Sequence, residues 1–361
     1  MSEENSLTTS PGINTSPATA QMPLGGELSS PAVVESGTSS SNGNALAPAN
    51  TLAGKRRPVE DLLKYVFGAC ALVTVLTTFG IIFVLLKESI PFFAAVPLRE
   101  FLFAREWTPQ FEPARFGVLP LICGTLLVTA GAALFSLPLG LLSAIYLSEY
   151  ASPRARGILK PVLELLAGVP SIVYGYFALV FITPLLQSGV EKLNPIVQKI
   201  WPDVFLEVQV FNALSASIAI AIMTLPLVSS LCEDALHVVP RSLREGAYAL
   251  GATKLEVSTK VVIPAALSGI AASFILAISR SVGETMVVAL AAGATPKLTL
   301  NPFESIQTMT GYIANISMGD VEHGTVSYQT IFAVGVVLFM MTVAMNLVSI
   351  ALVKKYRQKY D

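Results

Sequence analysis

Six stretches of the chain are long, apolar and almost free of charge, and no other feature narrows its possible folds as much. Residues 65–86, 116–148, 165–190, 208–232 and 324–353 contain no Asp, Glu, Lys or Arg, and 261–293 is apolar but for Arg280 and Glu284. A helix rising 1.5 Å per residue needs about 20 residues to cross a hydrocarbon core roughly 30 Å thick, so each run is long enough to span. Inside lipid the backbone must satisfy its own hydrogen bonds, and a single apolar segment does so as a helix. The expected fold is therefore all-α, a polytopic membrane protein with six transmembrane helices and membrane lipid as its surroundings. Composition agrees, since 53% hydrophobic and 13% charged residues do not suit a water-exposed globule. A net charge of −1 supplies no basic field for nucleic acid.

Residues 1–54 are dominated by Ser, Thr, Pro, Ala, Gly and Asn, which bury too little apolar surface to offset chain entropy. The expected organisation is a disordered cytoplasmic tail over 1–58, a first transmembrane helix and first outside loop over 59–115, and a transmembrane domain over 116–355. Cys70, Cys123 and Cys232 are far apart, lack CxxC spacing, and read as small apolar packing residues.

Orientation follows from the basic residues. With the N-terminus inside, fifteen of the 23 Lys and Arg fall on the cytoplasmic side and seven outside, with Arg280 in a span. The positive-inside rule then places both termini in the cytoplasm. Pro138, Gly140, Gly168, Pro170, Gly175, Pro226 and Gly269 lie at depth in the spans. They fit either close helix packing or helices that line a path.

Arg280 and Glu284 stand out by cost, because a charge near mid-membrane is unfavourable by at least about 2.5 kcal/mol. Spaced i and i+4 in a continuous helix, they are expected on one face, within reach of each other. A guanidinium suits phosphate oxygens, and Ser279, Ser281 and Thr285 add hydroxyls nearby. Two readings stay open: a weak, transient anion site in a path, or a structural ion pair between helices.

The loop over 233–264 contains Glu245-Gly246-Ala247, then Gly251 after three residues, then, nine residues on, Val261-Val262-Ile263-Pro264. Small residues on a short helix allow close approach of a partner, and Gly251 permits a left-handed turn. This pattern resembles the EAA loop of ABC importer permeases, with Gly246 in place of the first Ala. The resemblance implies a type I ABC importer (MetI-like) bundle in which Glu245, Gly246, Ala247, Gly251 and Pro264 belong to the loop that couples to an ATPase.

Two further stretches narrow the family. Tyr146-Leu147-Ser148-Glu149-Tyr150-Ala151, followed by Pro153, Arg154 and Arg156 and leading to Gly168-Val169-Pro170-Ser171, is similar to the core of phosphate permeases of the PstC and PstA pair. Arg280-Ser281-Val282-Gly283-Glu284-Thr285 resembles the Arg-x-x-Gly-Glu-Thr signature of that pair; Met286 and Trp107-Thr108-Pro109 favour the PstC side. The resemblance implies a permease subunit of a bacterial phosphate importer in the inner membrane, with Arg280, Glu284, Ser281 and Thr285 along the substrate path. It implies three kinds of partner: a PstA-like sister permease, two copies of an ATPase subunit and an extracytoplasmic phosphate-binding protein. No GxxxxGK[ST] stretch, nucleophile elbow or metal-ligand cluster is present, so ATP hydrolysis is expected of a partner and no cofactor is expected here. The alternatives are a sulfate or molybdate permease and an ion-coupled secondary transporter, which needs no EAA loop.

Overall fold

The computed structural model describes residues 58–200, 205–319, 321–322 and 324–356. The expected tail over 1–58 lies outside these but for its last residue. The chain divides into two units, Met1–Tyr65 and Val66–Asp361. Of the first unit, residues 58–65 are described, as the start of a helix; the other described residues belong to the second.

Helix α1 (Pro58–Ala95) carries the first apolar run and is followed by the short α2 (Leu98–Phe103) and a two-stranded antiparallel ribbon, β1 (Trp107–Thr108) and β2 (Arg115–Phe116). Then come α3 (Leu119–Ile145), α4 (Pro153–Ala167), α5 (Ser171–Phe177), α6 (Thr183–Ile200) and α7 (Ala213–His237). The short α8 (Arg241–Ala249), α9 (Lys254–Val257) and α10 (Ile263–Ala265) lead to α11 (Leu267–Val282), α12 (Met286–Ala291), α13 (Met309–Met318) and α14 (Val326–Tyr356). Among the described residues five helices are long and apolar enough to cross a membrane. The count is six if Lys254–Ala265 and Leu267–Val282, which meet at 73°, form one span.

Two expected spans differ from what is observed. The run 165–190 is not one helix, because α4 ends at Ala167 and the spanning helix begins at Ser171. Pro170 fixes its own φ and pushes the residue before it out of the helical region, so Leu165 and Leu166 stay with α4. The run 261–293 is not one helix either. It bends beside Pro264, and α11 then stops at Val282, leaving residues 283–285 outside any helix before α12 begins.

The core lies in three clusters stacked along α3, a helix about 40 Å long at 1.5 Å per residue. Leu121 joins Phe92, Phe101, Trp107, Met309 and Tyr312 at one end. Val128 and Ala132 pack at mid-length with Ala216, Ile220, Val287 and Val288. Ala144 meets Val228, Cys232, Leu236, Val257 and Ile270 at the other end. Helices α3 and α7 approach closely because small residues face each other. A Cβ on Gly131 would sit 2.5 Å from the Ser217 hydroxyl, and one on Gly140 2.6 Å from a Val228 methyl. Lipid gives helices no hydrophobic drive to associate, so close backbone contact of this kind supplies the attraction. Gly140 is thereby a packing position, as is Gly269, whose Cβ would meet that of Ala235 at 2.6 Å.

Candidate functional site

The helix break at residues 283–285 is held open from a distant element. The Thr310 hydroxyl donates to the Glu284 carbonyl at 2.6 Å, and the Glu284 carboxylate accepts from the Val287 amide at 3.4 Å, at the start of α12. Glu284 has therefore left the helical face on which Arg280 sits. Among the described residues neither Arg280 nor Glu284 has an ion-pair partner within 4.0 Å. The expected i, i+4 pair is absent because Gly283 ends the helix between them. Arg280 occupies the last turn of α11, where a cation complements the partial negative charge of the helix end. Its side chain is exposed on the chain.

The neighbouring hydroxyls divide. Ser281 is buried and donates to the Ala277 carbonyl at 2.9 Å, so it serves its own helix. Thr285 is half-buried and donates to the Gly283 carbonyl at 3.2 Å. Ser279, beside Arg280, has a buried hydroxyl with no partner among the described residues.

The other predicted group lies on α8 and the turns after it. Gly251 has φ +83°, the left-handed conformation its position in the motif requires. Its amide bonds to the Tyr248 carbonyl at 2.9 Å and the Ala252 amide to the Ala247 carbonyl at 3.2 Å, which closes the end of α8. Glu245 and Gly246 are exposed, and a Cβ at Gly246 would meet nothing within 4 Å. Ala247 packs against the cluster around Val257 and Leu236. Pro264 is exposed within α10. Leu250 at 91% exposure, with Tyr248 and Leu255, makes an apolar surface that this chain leaves uncovered.

Sequence reasoning missed the ion pairs that frame this region. Glu233 of α7 is wholly buried and pairs with Arg156 and, at 3.1 Å, with Lys160, both on α4; Asp234 adds a second carboxylate 3.5 Å from Lys160. No residue of α4 is buried, so these pairs are its main tie to α7. Burial alone would lower the Lys160 pKa, but the carboxylates of Glu233 and Asp234 outweigh it and hold the ammonium above its ordinary value. Glu149, just past α3, pairs with Arg244 of α8 at 3.1 Å. The only sequence signal for these contacts is a Glu at the edge of an apolar run. Its partners are 95 residues away for Glu149 and 77 and 73 for Glu233.

At the far end of α3 a cavity of about 200 Å³ opens between the β1 ribbon and the loop before α13, lined among others by Trp107, Phe111, Pro296, Gln307 and Asn315. Gln307 is 6% exposed and the Trp107 indole N–H is buried without an acceptor among the described residues. Buried donors of this kind are normally satisfied, by water or by a bound group.

Residues 136–360 match the family described as "Binding-protein-dependent transport system inner membrane component". The chain is 33% identical over 280 residues to the probable ABC transporter permease protein YqgH of Bacillus subtilis (strain 168), covering 76% of this chain and 84% of that protein. It is 34% identical over 253 residues to the phosphate transport system permease protein PstC of Mesorhizobium japonicum, covering 67% and 74%. Among solved structures, the bacterial alginate ABC transporter in complex with alginate pentasaccharide-bound periplasmic protein aligns with a TM-score of 0.55 at 16% identity, over 80% of this chain and 94% of that one. At that identity the likeness is one of fold.

Proposed function

The chain belongs to the family of binding-protein-dependent transport system inner membrane components, and from that premise we propose that it is the permease subunit of an ATP-driven importer of inorganic phosphate. The observation that carries this reading is Arg280: exposed on the chain, without an ion partner among the described residues, and placed beside the point where the helix breaks within the apolar run. A cation at that depth belongs in a watery path or against another subunit, and its planar fork matches the oxygens of phosphate. The relatives named as phosphate permeases support the choice of anion.

In this reading a PstA-like sister subunit completes the passage, and of two ATPase subunits one docks on the apolar and small-residue surface around α8 and the other on the sister's corresponding loop. An extracytoplasmic phosphate-binding protein docks at the far end, where the Trp107 and Gln307 cavity lies. Both termini are cytoplasmic and the membrane is the bacterial inner membrane. Arg280 attracts the anion, Thr285 lines the break beside it, and Glu284 shapes the break by capping α12. Ser281 contributes packing.

Reconstitution with the sister, ATPase and binding-protein subunits tests the proposal by comparing ATP-driven uptake of phosphate and sulfate. Phosphate uptake that requires ATP is expected. Preference for sulfate, or uptake driven by an ion gradient without ATP, overturns it.

Gly251→Val is expected to lower uptake per ATP hydrolysed about tenfold while the complex still assembles. A β-branched residue in the left-handed region costs roughly 1–2 kcal/mol, which α8 avoids by giving up the turn that orients it. Parallel assays of uptake and hydrolysis on purified complexes read this out, and an unchanged ratio counts against the role of the turn.

A further inference from the structure

We propose that Arg244 is a positioning residue that ties α8 to both α3 and α7, so that a displacement imposed on α8 reaches the two transmembrane helices together. The inference rests on the importer reading and adds to it the contact through which motion passes. Arg244 leaves the middle of α8, directly before Glu245, and its side chain is 16% exposed. Its Nη1 donates to the Val239 carbonyl at 2.8 Å; its Nη2 donates to the Leu236 carbonyl at 2.8 Å and to Glu149 Oε1 at 3.1 Å.

Leu236 lies in the last turn of α7, where its carbonyl accepts the Val239 amide at 3.3 Å and keeps a second lone pair for Arg244, and Val239 lies just beyond the helix end; carbonyls at a helix end carry partial negative charge. Glu149 sits in the turn of wider helix, Tyr146–Tyr150, that continues α3. That turn is closed by the Ala151 amide on the Tyr146 carbonyl five residues back, at 2.8 Å. The Glu149 side chain is 8% exposed, and besides Arg244 its one hydrogen-bond partner among the described residues is the adjacent Ser148 hydroxyl at 3.2 Å.

What makes this contact decisive is the poverty of the alternatives. No residue of α8 is buried, and Ala247 is its member in the apolar cluster beneath. A small apolar contact slides under load, because dispersion attraction has no preferred direction. Three charge-assisted or dipolar bonds from one rigid guanidinium resist both pulling and sliding. Wider helical turns such as Tyr146–Tyr150 recur at functional sites, and here the turn brings the Glu149 carboxylate to the fork.

The test uses the assembled transporter and measures anion moved per ATP hydrolysed, alongside the amount of complex formed. Arg244→Gln is expected to lower the ratio about tenfold with hydrolysis persisting. Arg244→Lys is expected to recover part of the loss, because an ammonium keeps the charge without the fork. Glu149→Gln removes one of the three bonds' charge and is expected to lower the ratio about threefold; combined with Arg244→Gln it adds nothing further. If the Arg244 variants fail to assemble, Glu149→Gln, which leaves both α7 carbonyls bonded, decides alone. A ratio at the wild-type value in every assembled variant, with less complex formed, makes Arg244 a helix cap only and overturns the proposal. A wild type that moves sulfate changes which anion is counted and leaves the ratio measurable, so the functional reading and this inference fail separately.

Discussion

Arg280→Gln is expected to reduce phosphate uptake per assembled complex by at least about 100-fold, equivalent to some 2.7 kcal/mol of activation free energy. The side chain has no ion partner among the described residues and gains none from Glu284, so its loss strips the break of its cation while leaving the fold's bonds in place. Arg280→Lys is expected to restore uptake to within about tenfold of wild type, since charge is kept and bidentate geometry lost. Glu284→Gln is expected to be mild, because an amide oxygen still accepts from the Val287 amide. Uptake of radiolabelled phosphate, normalised to complex recovered by affinity purification, separates the three. Wild-type uptake by Arg280→Gln at wild-type assembly removes Arg280 from the path.

The second large effect concerns stability. Changing Arg156 and Lys160 together to Met is expected to destabilise the protein by about 3–5 kcal/mol, the range for stranding a buried charge. Glu233, fully buried on α7, then keeps only its own desolvation. Glu233→Met alone is expected to cost less, because Arg156 and Lys160 are about one-third exposed and regain water. Adding Glu233→Met to the double variant is expected to return most of the loss, since three apolar side chains of similar length replace the charges. Thermal unfolding in detergent, followed by loss of soluble monodisperse protein, gives the order. A triple variant no better than the double one shows that the charges do not act as a unit.

How far the sequence announces all this depends on the range of each cause. The spans are legible because lipid forces apolarity on every residue of a crossing helix, a constraint written locally and repeated some twenty times. Gly251 is legible for the same reason: the turn it makes involves residues five or fewer apart. The break after Val282 is not, because Gly-Glu-Thr inside an apolar run is compatible with a helix until Thr310 takes the Glu284 carbonyl from 26 residues away. The Arg280–Glu284 pair rests on helical spacing and fails with the helix. Trp107 stands out in the sequence only as part of a motif; that its N–H is buried beside a cavity depends on the loop that carries Gln307. Residues Glu149 and Glu233 mark the limit, since a charge at the edge of a span reads as an ordinary boundary until the partner across the bundle is known.

The first helix bears on how the protein is made. Every residue from 66 to 81 is exposed, and none of them belongs to the three core clusters. A segment of that kind needs nothing synthesised after it in order to partition into lipid, and its insertion can be complete while the ribosome is still translating α3. The basic residues preceding it, Lys55, Arg56, Arg57 and Lys64, are then available at the moment its direction is chosen. In the topology proposed above, the direction of the subunit follows from a helix that joins the core only near its end, through Phe92, and a charge reversal at those four positions is expected to invert that helix.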